Sequence, residues 1–101
     1  MRALITGGRG FVGGWLAEHL RGAGDEVVAI DQEVEITDPK AVLAAVGAAE
    51  PEAVYHLAAL THVGQSWDDP LRVLEVNVLG TAAVLAAARQ CGTDPRVLVT
   101  S

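Results

Sequence analysis

The sequence predicts an α/β domain: one parallel four-stranded sheet with helices on both faces. Two observations predict it. Short, continuously apolar runs alternate with longer segments whose apolar residues recur at helical spacing. Continuously apolar strands belong to sheets covered on both sides, and strand-helix alternation makes such sheets parallel. The second is a glycine-rich segment, residues 7–13, lying between the first apolar run and the first helical one.

Each element has its own signal. Residues 2–6 are β-prone and end at glycines. Residues 11–21 carry apolar side chains at 11, 12, 16, 17 and 20, near a helical repeat, and Gly22 and Gly24 supply a stop. Residues 26–31 contain Val27-Val28-Ala29-Ile30, a run of buried-strand type. Asp38-Pro39 reads as an N-cap followed by proline at the first helical position, opening a helix to about Ala49. Residues 53–57 form a third strand. Asp69-Pro70 repeats the cap signal and starts a long helix ending at Cys91, with Gly92 as its stop and Leu71, Leu74, Val78 and Leu85 on one stripe. Residues 97–100 form a fourth strand. Right-handed crossovers then suggest the strand order 3-2-1-4, with a ligand crevice at the strand 1/strand 4 switch point.

At 101 residues the chain is a single domain, residues 1–101. Its formal charge is 7 − 13 = −6. An acidic chain without a basic cluster is poorly suited to nucleic acid or an anionic membrane, which need Lys and Arg to displace counterions. A phosphate must therefore be held by backbone amides and a local cation or two. The lone thiol, Cys91, cannot form an internal disulfide and reads as a small buried apolar residue. The apolar start, residues 1–6, is too short for a signal peptide or membrane span, so the cytoplasm is the expected location.

The glycine segment carries the chemistry. Thr6-Gly7-Gly8-Arg9-Gly10-Phe11-Val12-Gly13 fits G-x-G-x-x-G at Gly8, Gly10 and Gly13, and G-x-x-G-x-x-G at Gly7, Gly10 and Gly13. Such a loop lets a pyrophosphate touch the backbone, where helix N-terminal amides and the helix dipole attract the anion. Asp31 ends the second strand, 31 − 10 = 21 residues past Gly10. That is where a dinucleotide-binding Rossmann-type half keeps its ribose-binding carboxylate. A carboxylate there accepts hydrogen bonds from ribose hydroxyls and repels a 2′-phosphate, which predicts NAD over NADP by at least about tenfold.

Three further groups offer less. His56 and His62 have no carboxylate or cysteine to complete a metal set. Ser66 and Ser101 lack the glycine elbow of a hydrolase nucleophile. His19 reads as solvated, and Trp15 and Trp67 as packing or surface residues.

The glycine segment, Asp31, His56-Leu57-Ala58-Ala59 and Asn77-Val78-Leu79-Gly80-Thr81 together resemble the extended short-chain dehydrogenase/reductase family, and within it the NAD-dependent sugar-nucleotide epimerases and dehydratases. The resemblance implies that Gly7, Gly10, Phe11, Val12 and Gly13 lie against the pyrophosphate and that Asp31 holds the adenosine ribose. It puts Glu35-Ile36 near the adenine, with Glu where the family has Asp. Leu57, Ala58, Ala59, Leu60 and Thr61 would run beside the nicotinamide half, and Asn77 would reach the cofactor from the long helix. Thr61-His62-Val63 with Ser66 is similar to a segment bordering the sugar pocket of nucleotide-sugar dehydratases.

The family's catalytic set is a Ser or Thr after strand 4, then a Tyr and a Lys four apart on the next helix. The single tyrosine here, Tyr55, is followed four residues later by Ala59, and Ser101 adjoins the expected hydroxyl. No catalytic residue is therefore assigned. The expectation is the NAD-binding portion of an epimerase, dehydratase or reductase that moves hydride between nicotinamide and a nucleotide sugar, cut before the Tyr/Lys helix and the substrate region. The alternatives are a stand-alone dinucleotide-binding module, or a self-associating fragment whose strand 4 edge and long helix make it a homo-oligomer.

Overall fold

The computed structural model describes residues 1–58 and 68–100. Strands β1 (Arg2–Thr6), β2 (Glu26–Ile30), β3 (Ala53–His56) and β4 (Arg96–Val99) form one sheet. All its pairs are parallel: β1 with β2, β1 with β3, and β3 with β4. Helix α1 (Phe11–Gly22) follows β1 and α2 (Pro39–Ala49) follows β2. The last crossover is a long helix in three parts: α3 (Pro70–Leu74), a π-helical segment (Glu75–Gly80) and α4 (Thr81–Gln90).

The expected caps form. Asp38 accepts from the amides of Lys40 at 3.1 Å and Ala41 at 3.5 Å, and Asp69 accepts from Arg72 at 3.1 Å. Proline stands at the first position after each. α2 stops at Glu50, whose left-handed φ of +46° turns the chain toward β3.

The sheet runs β2-β1-β3-β4. The place beside β1 that the order 3-2-1-4 gives to strand 4 is thus taken by the third strand of the chain, with β4 outside it. Relabelled in that way the expected order stands, with nothing among the described residues in the place beyond β2. The reason lies in the helices. α1 packs Ala17 and Leu20 against Ala3 and Ile5, on one face. α2 and α4 bring Val42, Val46, Val84 and Ala87 onto Leu4 and Val54, on the other. A right-handed crossover that changes face must also reverse its direction across the sheet, so β3 lands beyond β1 rather than beyond β2. Residues 31–38 give no strand, and Ile36 among them is buried in the second core. The direction therefore reverses between β1 and β3, and the crevice expected at a switch point opens there.

The long helix corrects the stripe. Its inner face is Val76, Gly80, Ala83, Val84, Ala87 and Ala88. Leu71, Leu74, Val78 and Leu85 are exposed, as is Leu98 on β4. Cys91 is half-buried rather than buried, with Sγ 3.0 Å from the Thr93 hydroxyl.

Candidate functional site

The end of β1 builds the first wall of the crevice. The chain turns at Gly7, with φ +69°, and a Cβ there would lie 3.0 Å from the Ala58 nitrogen. A Cβ on Gly8 would stand 2.6 Å from that of Ala29, and one on Gly13 would run into the Gly7 carbonyl and stand 2.8 Å from Gly8 Cα. Loop, helix and neighbouring strand thus meet backbone to backbone. Gly10 differs: among the described residues a Cβ there meets only the Gly7 carbonyl, at 3.3 Å.

Gly10 is also the N-cap of α1, and it has no side chain to bond the first-turn amides. The first amides of a helix have no acceptor within it. The aspartates at the starts of α2 and α3 supply one, whereas α1, whose N-cap Gly10 supplies none, starts with the positive end of its dipole at the cleft that Gly10 lines. Phe11 and Val12 are exposed. Any role they have at a phosphate belongs to their backbone.

β2 supplies the second wall. Gly8 donates to the Ile30 carbonyl at 3.0 Å, which fixes the loop against the strand end. Asp31 Oδ2 then accepts from the Arg9 amide at 2.9 Å. Glu33 accepts from the Asp31 amide at 3.0 Å and pairs with the Arg9 guanidinium at 2.9 Å. Backbone hydrogen bonds, its own and that of Asp31, hold the Glu33 carboxyl below the usual carboxylate range, and Arg9 adds to the effect. The third wall comes from the long helix. Arg72 pairs with Glu35 at 2.8 Å; this contact raises the guanidinium and, with the Thr37 hydroxyl, lowers the Glu35 carboxyl.

These walls enclose a cleft of about 360 Å³. It is lined by Gly7, Gly10, Asp31, Ile36, Leu57 and Ala58, together with Thr6, Ile30, Gln32, Val34, Arg72 and Val76. Of the residues predicted to hold the cofactor, those six meet in one place. Gly13 closes the loop from behind, and Glu35 turns to Arg72. Asn77 lies in the π-helical segment, where its carbonyl accepts from the Thr81 hydroxyl at 2.8 Å. Ala59, Leu60, Thr61, His62, Ser66, Trp67 and Ser101 lie outside the described residues.

Sequence reasoning missed the floor of the cleft. His56 is buried, with Nδ1 2.7 Å from the Thr6 hydroxyl and Nε2 3.1 Å from that of Thr81. Thr6 also accepts from the amides of Leu57 at 3.0 Å and Ala58 at 3.1 Å. Burial lowers the affinity of the imidazole for a proton. The legible signal was that Thr6 and His56 are polar residues ending apolar strands; their partnership needs the register Thr6↔His56. Arg72 was missed as well, because nothing local links it to Glu35.

Residues 3–101 match the NAD dependent epimerase/dehydratase family. The chain belongs to that family. Its sequence is 31% identical to dTDP-glucose 4,6-dehydratase 1 of Escherichia coli K12 over 88% of this chain and 31% of the relative. The fold is that of UDP-glucose 4-epimerase from Thermus thermophilus, solved in complex with NAD, with a TM-score of 0.85 and 36% identity over 92% of this chain and 35% of that one. A dTDP-4-dehydrorhamnose reductase from Bacillus anthracis str. Ames, solved with NADP, gives a TM-score of 0.86 and 26% identity over 95% of this chain and 34% of that one. The chain thus spans about a third of the length of these epimerase/dehydratase relatives. The fold class and the family resemblance read from the sequence both hold.

The donor set fits a dinucleotide. Amides without a side-chain cap at Gly10 suit a pyrophosphate, and the Asp31 carboxylate, lining the same cleft, is an acceptor of the kind ribose hydroxyls need.

Proposed function

We propose that this chain is the NAD-binding portion of a sugar-nucleotide epimerase, dehydratase or reductase. One observation carries the reading: the uncapped, glycine-lined start of α1 and the carboxylate of Asp31 share one cleft at the point where the sheet reverses direction. Gly7, Gly10 and Gly13 keep side chains away from the pyrophosphate, and the amides of Phe11 and Val12 face it. Asp31, with Oδ2 already held by the Arg9 amide, offers its other oxygen to the ribose hydroxyls. Ile36 lies at the adenine end, and Leu57 and Ala58 run toward the nicotinamide, with Asn77 approaching from the long helix; Ala59 and Thr61, outside the described residues, are assigned to the same half of the cofactor. Glu35 is left to orient Arg72 rather than to touch the adenine.

The nicotinamide, when bound, supplies the hydride donor or acceptor. The substrate class is a nucleotide sugar, as the names of the relatives suggest. Tyr55 sits within β3 and Ala59 follows four residues on in the sequence, so we assign the cofactor-site residues named above binding and orientation and no proton transfer. The domain, residues 1–101, precedes the Tyr/Lys helix and sugar-binding region of the complete enzyme, which works in the cytoplasm. A second reading, self-association into a homo-oligomer, is favoured by the exposed stripe at Leu71, Leu74 and Val78 and the exposed Leu98 of β4, the outermost of the described strands on its side of the sheet.

Calorimetry with NAD and NADP tests the cofactor reading. NAD is expected to bind at least about tenfold more tightly, a difference of roughly 1.4 kcal/mol. Equal affinities remove Asp31 from the ribose site.

A further inference from the structure

Among the described residues, the buried network beneath the cleft has one consistent arrangement of protons. The Thr6 hydroxyl oxygen accepts from the Leu57 and Ala58 amides, which occupies both of its lone pairs. Its own hydrogen must therefore point elsewhere, and the partner in reach is His56 Nδ1 at 2.7 Å. On the other side of the ring, the Thr81 hydroxyl donates to the Asn77 carbonyl. It can therefore only accept from His56, whose Nε2 stands 3.1 Å away. The neighbours thus require a bare Nδ1 and a protonated Nε2, a neutral imidazole in a single tautomer.

A proton added at Nδ1 would face a hydroxyl oxygen with no lone pair left. Thr6 could accept it only by releasing an amide. Leu57 keeps a second acceptor, the Thr6 carbonyl at 3.2 Å. Ala58 has only the hydroxyl among the described residues, so the Ala58 amide is the one set loose. That amide backs onto Gly7, and both residues line the cleft.

We infer that His56 is a proton-sensitive positioning residue: as neutral imidazole it locks the Leu57–Ala58 backbone against Gly7, and its protonation unlocks that wall of the cofactor cleft. The inference rests on the cofactor reading proposed above. Among the described residues, the groups facing the ring are Thr6 on β1, Thr81 at the start of α4 and, by register, Val99 on β4; none of them carries a charge. The proton affinity of the ring is lowered by burial alone. The neutral form therefore persists below the usual histidine range, and unlocking occurs on the acid side of it.

The test uses the 101-residue chain in two measurements. Nitrogen NMR of the imidazole should show His56 as the Nε2–H tautomer near neutral pH, and the Ala58 amide resonance should titrate with His56. NAD affinity should fall at least tenfold as His56 protonates. In His56→Gln, an amide that accepts and donates without titrating, binding should stay level over the same range. A wild type and a His56→Gln variant with the same pH profile overturn the inference, and so does an Nδ1–H tautomer. If the variant fails to fold, the tautomer and the Ala58 titration in the wild type still decide. A wild type with the expected NMR behaviour that binds NAD at no pH overturns the cofactor reading instead, and with it the claim that this lock serves a cofactor.

Discussion

Three glycines within five residues, Gly10, Gly13 and Gly14, should respond differently to one added methyl group. At Gly13 a Cβ runs into the Gly7 carbonyl and stands 2.8 Å from Gly8 Cα. Both are backbone atoms of a loop pinned by the Gly8 bond to Ile30, so no side chain can swing aside. Overpacking of this kind costs about 1–3 kcal/mol, and the better helix propensity of alanine returns at most about 1. At Gly14 the Cβ meets nothing within 4 Å among the described residues, and the same propensity gain is undiminished. Gly13→Ala should therefore destabilise the domain while Gly14→Ala stabilises it by roughly 0.5–1 kcal/mol. For a domain of this size each kcal/mol moves Tm by about 4–8 °C. Gly10 has φ −71° and ψ 172°, open to any residue, and a Cβ there stands 3.3 Å from the Gly7 carbonyl, so Gly10→Ala should cost less than Gly13→Ala. Gly10→Val should fold yet lose NAD, because its side chain fills the space left for the pyrophosphate. Urea unfolding followed by circular dichroism reads the stabilities, and calorimetry reads the binding. Gly13→Ala as stable as the parent, or Gly14→Ala as damaging as Gly13→Ala, would refute the steric argument; normal binding by Gly10→Val would move the phosphate off this loop.

Two further outcomes are expected. Asp38→Ala removes the side-chain acceptor at the start of α2 and should cost about 1 kcal/mol in urea unfolding, with Asp38→Ser recovering most of it. Light scattering at tens of micromolar should give at least a dimer mass through β4 or the long helix; a clean monomer mass, with rapidly exchanging amides at Val97, Leu98 and Val99, would mean that the edge is merely frayed.

Whatever is written within a few residues could be read directly from the chain. Apolar runs marked the strands, Asp38-Pro39 and Asp69-Pro70 marked two helix starts, and the glycine segment followed by Asp31 marked the cleft. Those signals are local because capping, periodicity and loop conformation are set by neighbours in the chain. Which strand lies beside β1 was settled only in three dimensions. That depends on the face to which α2 packs, and apolar residues on a helix do not say which side of a sheet they will cover. The same limit hid the outward stripe at Leu71, Leu74 and Val78, since helical spacing marks an apolar face without marking whether anything covers it. It also hid the Thr6–His56–Thr81 network. Thr6 and His56 are 50 residues apart and His56 and Thr81 are 25 apart, so only the β1–β3 register and the closure of the long helix over the sheet bring the three together.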